Sequence, residues 1–284
     1  MLLRQLAALL LLAPSVAPFH LAACAQENER AVTPPTFYRT IEIDGLSISY
    51  REAGAKDAPA LLLLHGFPSS SRMYQPLLAR LADRYRLIAP DYPGFGHSDW
   101  PDPKTFAYTF DHIAAVMDRF TEALGLARYT LYMQDYGMAL AHPERIEALI
   151  VQNAVAHNEG LGALWATRGR HLGSDPDADR DDPDLWTDKF AFLSKPGQAD
   201  IQTDLFYDYR TNVEAYPRRQ AWLSQRQPRL LVLWGKYDPS FDISELEADR
   251  RNVPKAEVHV LNAGHFALDT GADEIARLVR GFMN

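Results

Sequence analysis

Apolar and polar positions alternate from Arg39 to Ile43 and again from Leu46 to Arg51, on either side of Asp44-Gly45. A period of two predicts strands with one buried face, and an Asp-Gly pair predicts the tight turn that joins them into a hairpin. Downstream the pattern changes. Ala60 to Leu64, Leu87 to Ala89, Ala148 to Asn153, Leu230 to Trp234 and Glu257 to Leu261 are short, mostly apolar runs. Most of them read as parallel strands buried on both faces. Helical spacing separates them. Ile113, Val116, Met117, Phe120 and Leu124 mark a helix from Asp111 to about Leu124, stopped by Gly125. Ser69, Ser70 and Ser71 offer caps for a helix through Leu81, a short helix follows Pro239, and another closes the chain.

The run from Tyr129 to Gln134 ends at Asp135-Tyr136-Gly137, after which a helical pattern begins at once. An acid at the tip of a central strand sits where open α/β sheets place their ligands. Other strand ends carry chemistry too. Ala60–Leu64 runs into His65-Gly66-Phe67-Pro68, and Leu87–Ala89 delivers the tight loop Asp91 to Ser98. Asp238 follows the Leu230 strand, and His265 follows the last one. Taken singly, Asp135 could be a helix cap, Asp238 a turn residue beside Pro239, and His265 a hydrogen-bonded loop histidine.

Alternation of strand and helix is lost over 154–226, which holds Trp165, Trp186, an Asp cluster from Asp175 to Asp184, and Tyr207, Tyr209 and Tyr216. An insertion of this size between core strands reads as a lid. The core is then 38–153 and 227–284. At the other end, residues 1–25 carry Arg4 ahead of the apolar run Leu6 to Leu12, the layout of an export signal too short to span a bilayer. Leu21-Ala22-Ala23-Cys24 resembles a lipobox, with Cys24 as the lipidation candidate, and Ala23-Cys24-Ala25 also fits ordinary cleavage for a secreted protein. The expectation is an exported, periplasmic lipoprotein anchored through Cys24, or a secreted form. Residues 26–37, with Pro34-Pro35, read as a tether. Cys24 is the only cysteine, so the domain holds no disulfide. With 37 acidic against 29 basic side chains the net charge is −8, and there is no basic stripe, which argues against nucleic acid.

The order Asp135, Asp238, His265 is the nucleophile–acid–base chain order of the α/β-hydrolase triad. With His65-Gly66-Phe67-Pro68 and the Asp91–Ser98 loop, the chain from about 38 to 284 resembles the α/β-hydrolases. The branch it is most similar to is that of epoxide hydrolases and haloalkane dehalogenases, which use Asp as nucleophile. The resemblance implies a mostly parallel central sheet with helices on both faces and a helical lid inserted between core strands. It also implies catalytic Asp135, Asp238 and His265, an oxyanion hole from the N–H groups of Phe67 and Tyr136, and lid proton donors among Tyr207, Tyr209 and Tyr216. A small hydrophobic substrate follows, with neither cofactor nor metal. Halide binding in the dehalogenases uses side-chain N–H donors that Tyr136 and Phe67 lack, so an epoxide is favoured over a haloalkane. The alternatives are an esterase-like or lactonase-like hydrolase, against which the missing elbow Ser argues, or an impaired member of the family. The last rests on two departures. Met133 replaces the usual elbow Gly, and only Gly137 to Ala141 separate Tyr136 from His142-Pro143-Glu144-Arg145. That leaves about 8 Å of helical rise, where the family normally has three to four turns.

Overall fold

A computed structural model describes residues 34–136, 142–161 and 183–284. The export signal, Cys24 and most of the tether lie outside the described residues, as do 137–141 and 162–182. Eight strands form one sheet in the order β1-β2-β4-β3-β5-β6-β7-β8. β1 (Phe37–Ile43) and β2 (Leu46–Ala53) are the predicted antiparallel hairpin, with Asp44 and Gly45 both at positive φ as the turn requires. β2 also pairs antiparallel with β4 (Arg86–Pro90). The remaining pairings are parallel and bring in β3 (Ala60–Leu64), β5 (Tyr129–Tyr136), β6 (Ile146–Val155), β7 (Arg229–Gly235) and β8 (Glu257–Leu261).

The continuously apolar strands are sandwiched between two cores. On one face Leu61, Leu63, Leu87, Tyr132, Ile150 and Leu231 pack with α1 (Gln75–Leu81) and α6 (Ala267–Met283). On the other, Leu62, Ile88, Leu131, Leu149 and Val232 pack with α2 (Phe110–Ala123) and apolar residues of α4 (Gln198–Arg226). Each face of a strand therefore meets helix, which is why its sequence does not alternate. Capping follows the short polar side chains. Thr109 accepts from the His112 N–H at the start of α2, and Ser70 accepts from the Arg72 N–H ahead of α1.

α3 (Pro183–Leu193) and α4 lie between β6 and β7 in the segment read as a lid, and α5 (Glu245–Asn252) follows β7. β5 runs through Asp135 to Tyr136, which is in register with Val155 of β6 after an irregularity between Gln134 and Asp135. The residues that would form the shortened helix lie outside the described set. A 3₁₀ turn at Pro143–Arg145 leads into β6.

Candidate active site

The parallel strands end on one edge of the sheet, and that edge gathers Asp135, Asp238 and His265. Asp135 has φ 70°, the left-handed conformation that a nucleophile elbow imposes and that a non-glycine residue rarely adopts. It is 4% exposed. Its carboxylate fits only because Gly66 has no side chain: a Cβ there would lie 2.6 Å from the Asp135 Cβ. The Phe67 N–H donates to Asp135 Oδ2 at 2.8 Å, so one predicted oxyanion donor already faces the nucleophile. For Tyr136, the other, the backbone position is in β5.

His265 stands between the two acids. Its Nδ1 lies 2.9 Å from Asp238 Oδ2, and its Nε2 lies 3.9 Å from Asp135 Oδ1. The first distance is a hydrogen bond that sets the tautomer. The second is too long for one and leaves Nε2 facing the nucleophile with its lone pair or proton uncommitted.

Asn153, a residue the sequence reading passed over, completes the acid's surroundings. Its Nδ2 donates to Asp238 Oδ2 at 2.7 Å, and its Oδ1 accepts from the Gly235 N–H at 3.0 Å. Asn153 also takes a positive φ of 44° at the end of β6. Asp238 Oδ1 accepts from the Ser240 N–H at 2.7 Å. Gln134, next to the nucleophile, donates to the His265 carbonyl at 3.0 Å. A signal was available for both amides: Gln134, Gln152 and Asn153 are polar residues in otherwise apolar runs, and all three are fully buried.

Electrostatics separate the two carboxylates. Burial pushes Asp135 up to about 7, against the pull of His265 and the Phe67 N–H. Burial acts on Asp238 in the same direction, but His265, the Ser240 N–H and Asn153 outweigh it and hold Asp238 below the usual carboxylate range. For His265, burial favours the neutral ring, yet Asp238 and then Asp135 raise it above its ordinary value. Two acids in one site thus differ in ease of ionisation, the pattern expected where they have different jobs.

Above the nucleophile, His65, Gly66, Phe67, Tyr92, Phe95, Phe110, Ile113 and Leu205 line a narrow apolar cavity. His65 is buried against Tyr92, and burial drops its pKa to about 4, so it serves as a neutral wall residue. The three lid tyrosines part company. Tyr209 and Tyr216 are buried, with their hydroxyls 2.9 Å apart. Burial pushes Tyr216 up to about 12 and the Tyr209 hydrogen bond draws it back, while the charge of Asp135 reaches it. Tyr207 is 71% exposed, under the guanidinium of Arg210, and the structure does not bring it together with the other two. The cause is helical phase: seven residues on α4 return to nearly the same direction, whereas two residues turn by about 200°.

A mostly parallel sheet covered by helices, with Asp135, Asp238 and His265 brought together at its strand ends in this chain order, is the arrangement of an α/β-hydrolase. The family described as "Alpha/beta hydrolase family" matches residues 61–278, and the chain belongs to it. Within it, the likeness runs to the haloalkane dehalogenase-like branch. An uncharacterised hydrolase, YNR064C of Saccharomyces cerevisiae, is 33% identical over 84% of this chain and 94% of its own length. A haloalkane dehalogenase of Bradyrhizobium diazoefficiens is 43% identical over 104 residues, 36% of this chain and 32% of that protein. The crystal structure of the haloalkane dehalogenase DatA from Agrobacterium tumefaciens superposes with a TM-score of 0.71 at 22% identity, covering 87% of this chain and 96% of that one, which speaks for the fold alone.

Proposed function

We propose that this hydrolase opens epoxides by attack of the Asp135 carboxylate on a saturated carbon, with Tyr216 and Tyr209 protonating the alkoxide. The observation that carries the reading is the pair of buried, mutually hydrogen-bonded tyrosine hydroxyls that one face of α4 turns inward. Attack forms a C–O bond to Asp135 and breaks the ring C–O bond, and the electron pair that leaves with oxygen takes a proton from tyrosine. His265 then removes a proton from water, the resulting hydroxide adds to the ester carbonyl, and the Phe67 N–H stabilises the oxyanion, joined by that of Tyr136. Collapse breaks the ester C–O bond, the leaving diol oxygen takes the proton held by His265, and the acid left on Asp135 returns a proton to the tyrosinate, which restores the carboxylate. Asp238 orients the imidazole and stabilises its protonated form.

A tyrosine held near 12 remains protonated at neutral pH and is still more acidic than an alkyl alcohol. Displacement of halide is the second reading, favoured by the local likeness to haloalkane dehalogenases. Halide needs no proton but does need N–H donors, and the residues at the nucleophile, Phe67 and Tyr136, bring only those of the backbone. Export belongs to the same proposal: cleavage before Cys24 and lipidation of its thiol would hold the enzyme at a membrane surface.

Turnover of a terminal aryl or alkyl epoxide and of a matched 1-haloalkane, scored as diol and halide release, tests the choice. Diol formation should dominate, and Tyr216→Phe should reduce it by about 10²-fold or more, the usual scale of a lost general acid. Halide release that exceeds diol formation and is indifferent to Tyr216→Phe would reverse the assignment.

A further inference from the structure

Away from the triad, His157, Glu245 and Asp249 form a second buried cluster. His157 leaves β6 in the loop after Val155, while Glu245 and Asp249 are one turn apart on α5 and so share a face. All three are nearly inaccessible: His157 is 3% exposed, Glu245 0% and Asp249 5%. One oxygen of Glu245 is well occupied. Oε1 lies 2.7 Å from His157 Nδ1 and accepts from the Ala156 N–H at 2.7 Å. Its Oε2 and the Oδ2 of Asp249 are buried without a hydrogen-bond partner among the described residues. The backbone of Gly160 approaches Oε2 closely, since a Cβ there would come within 2.3 Å of it.

Two carboxylates buried one helical turn apart, each with an oxygen that lacks a donor among the described residues, are costly to bury. We propose that His157, Glu245 and Asp249 bind a divalent cation of the zinc class. One nitrogen and two carboxylate donors suit Zn²⁺ better than Ca²⁺ or Mg²⁺, which take oxygen almost alone. The donor atoms lie within 4.8 Å of one another. A modest rearrangement, in which the 2.7 Å Nδ1–Oε1 contact opens and the wider separations close, brings them to the roughly 3.4 Å separations of a tetrahedral site. On loading, Nδ1 exchanges its contact with Glu245 for the cation, and any proton on Nδ1 or Asp249 passes to solvent. The far side of the ring is held by Asn252, whose Nδ2 lies 2.7 Å from Nε2 and donates to it. Loading therefore turns the Asn252 amide over, so that its Oδ1 accepts from Nε2–H as the outer partner of a metal-bound imidazole does.

The role of such a cation would be structural. Gln220 of α4 donates to the Ala156 carbonyl, and Ser224 of α4 to Asn252. The cluster therefore joins the end of the lid helix, the exit of β6 and the helix that follows the Asp238 loop. A surface group offers the natural control: Asp118, Glu122 and His142 are similarly close, but Arg145 already neutralises the two acids.

The test is titration of the chelator-treated full chain with Zn²⁺, followed by calorimetry and by Tm. His142→Ala and His265→Gln serve as backgrounds that remove the other histidines able to hold zinc. One ion per chain should bind, with release of protons and a rise in Tm, in wild type and in both backgrounds. Asp249→Asn should weaken binding by at least about 10-fold and abolish the Tm rise. Should that variant fail to fold, X-ray absorption on the loaded wild type decides, one imidazole with oxygen donors supporting the site and two imidazoles contradicting it. Unchanged zinc affinity in Asp249→Asn would overturn the proposal. So would a wild type indifferent to zinc alongside an Asp249→Asn protein of higher Tm, the mark of a proton shared by the two acids.

Discussion

On the β7 and β8 side of the active site, the acid and base are fastened from several directions. Asp238 accepts from His265, Asn153 and Ser240, and the backbone of His265 is held by Gln134. On the β5 side, Asp135 rests on a strained backbone angle and the Phe67 N–H. Its chain then continues as strand for one residue, before a segment of only five residues leads to His142. The contrast locates sensitivity. The base is over-determined, and removing one bond leaves others to hold it. The nucleophile depends on the backbone around it, and a 1 Å displacement costs about 10²-fold in rate.

Removing the nucleophile breaks the comparison most severely. Asp135→Asn should lower turnover by about 10⁴-fold or more, on the scale of other lost catalytic groups. It should also stabilise the fold. A carboxyl raised to about 7 costs stability once pH exceeds its unfolded value near 3.8, and the cost grows until pH passes about 7. Asn carries no such cost. Melting curves should therefore show a higher Tm for Asp135→Asn at pH 8, with the gain shrinking towards pH 4. Equal Tm values across that range would mean that Asp135 ionises freely.

The backbone beyond the nucleophile comes next. Insertion of two helical turns after Gly137 should raise both Tm and turnover, the latter by up to about 10²-fold. Identical rates with and without the insertion would mean that β5 alone aligns Asp135.

How far the site was legible follows the same division. Strands β3, β6 and β7 were readable because burial on both faces demands continuous apolar runs. The hairpin was readable because Asp44-Gly45 fits the turn. Asp135, Asp238 and His265 were found by their order and by their positions at strand ends. Other features are tertiary. That Asn153 would face Asp238 depends on the β6–β7 register, since residues 153 and 238 meet only across adjacent strand ends. The separation of Tyr207 from Tyr209 and Tyr216 depends on which face of α4 turns inward, and α4 carries too few apolar residues to declare it. The continuation of β5 past Asp135 likewise has no mark in the residues themselves.

Weaker perturbations sharpen the contrast. Asn153→Ala removes one of several partners of Asp238 and should cost about 10-fold in turnover and about 1–3 kcal/mol in stability. Its pH profile is diagnostic. Asp238 is held low and His265 high, so activity should rise with pH as Asp135 ionises through about 7 and as His265 loses its proton. Weakening Asp238 lets His265 deprotonate more readily, which should move the base-dependent limb of the profile to lower pH. A limb shifted upward would contradict the network. The smallest effect belongs to Tyr207→Phe, for which initial rates should stay within about twofold of wild type because an exposed side chain outside the cavity contributes little.

The proposed covalent ester on Asp135, hydrolysed with the help of His265, should be trapped in His265→Gln and seen by mass spectrometry after incubation with epoxide. Alkylation should proceed and hydrolysis stall, so the protein should gain the mass of one intact epoxide, located by digestion on the peptide that contains Asp135. An unmodified Asp135 in a variant that still consumes epoxide would contradict it.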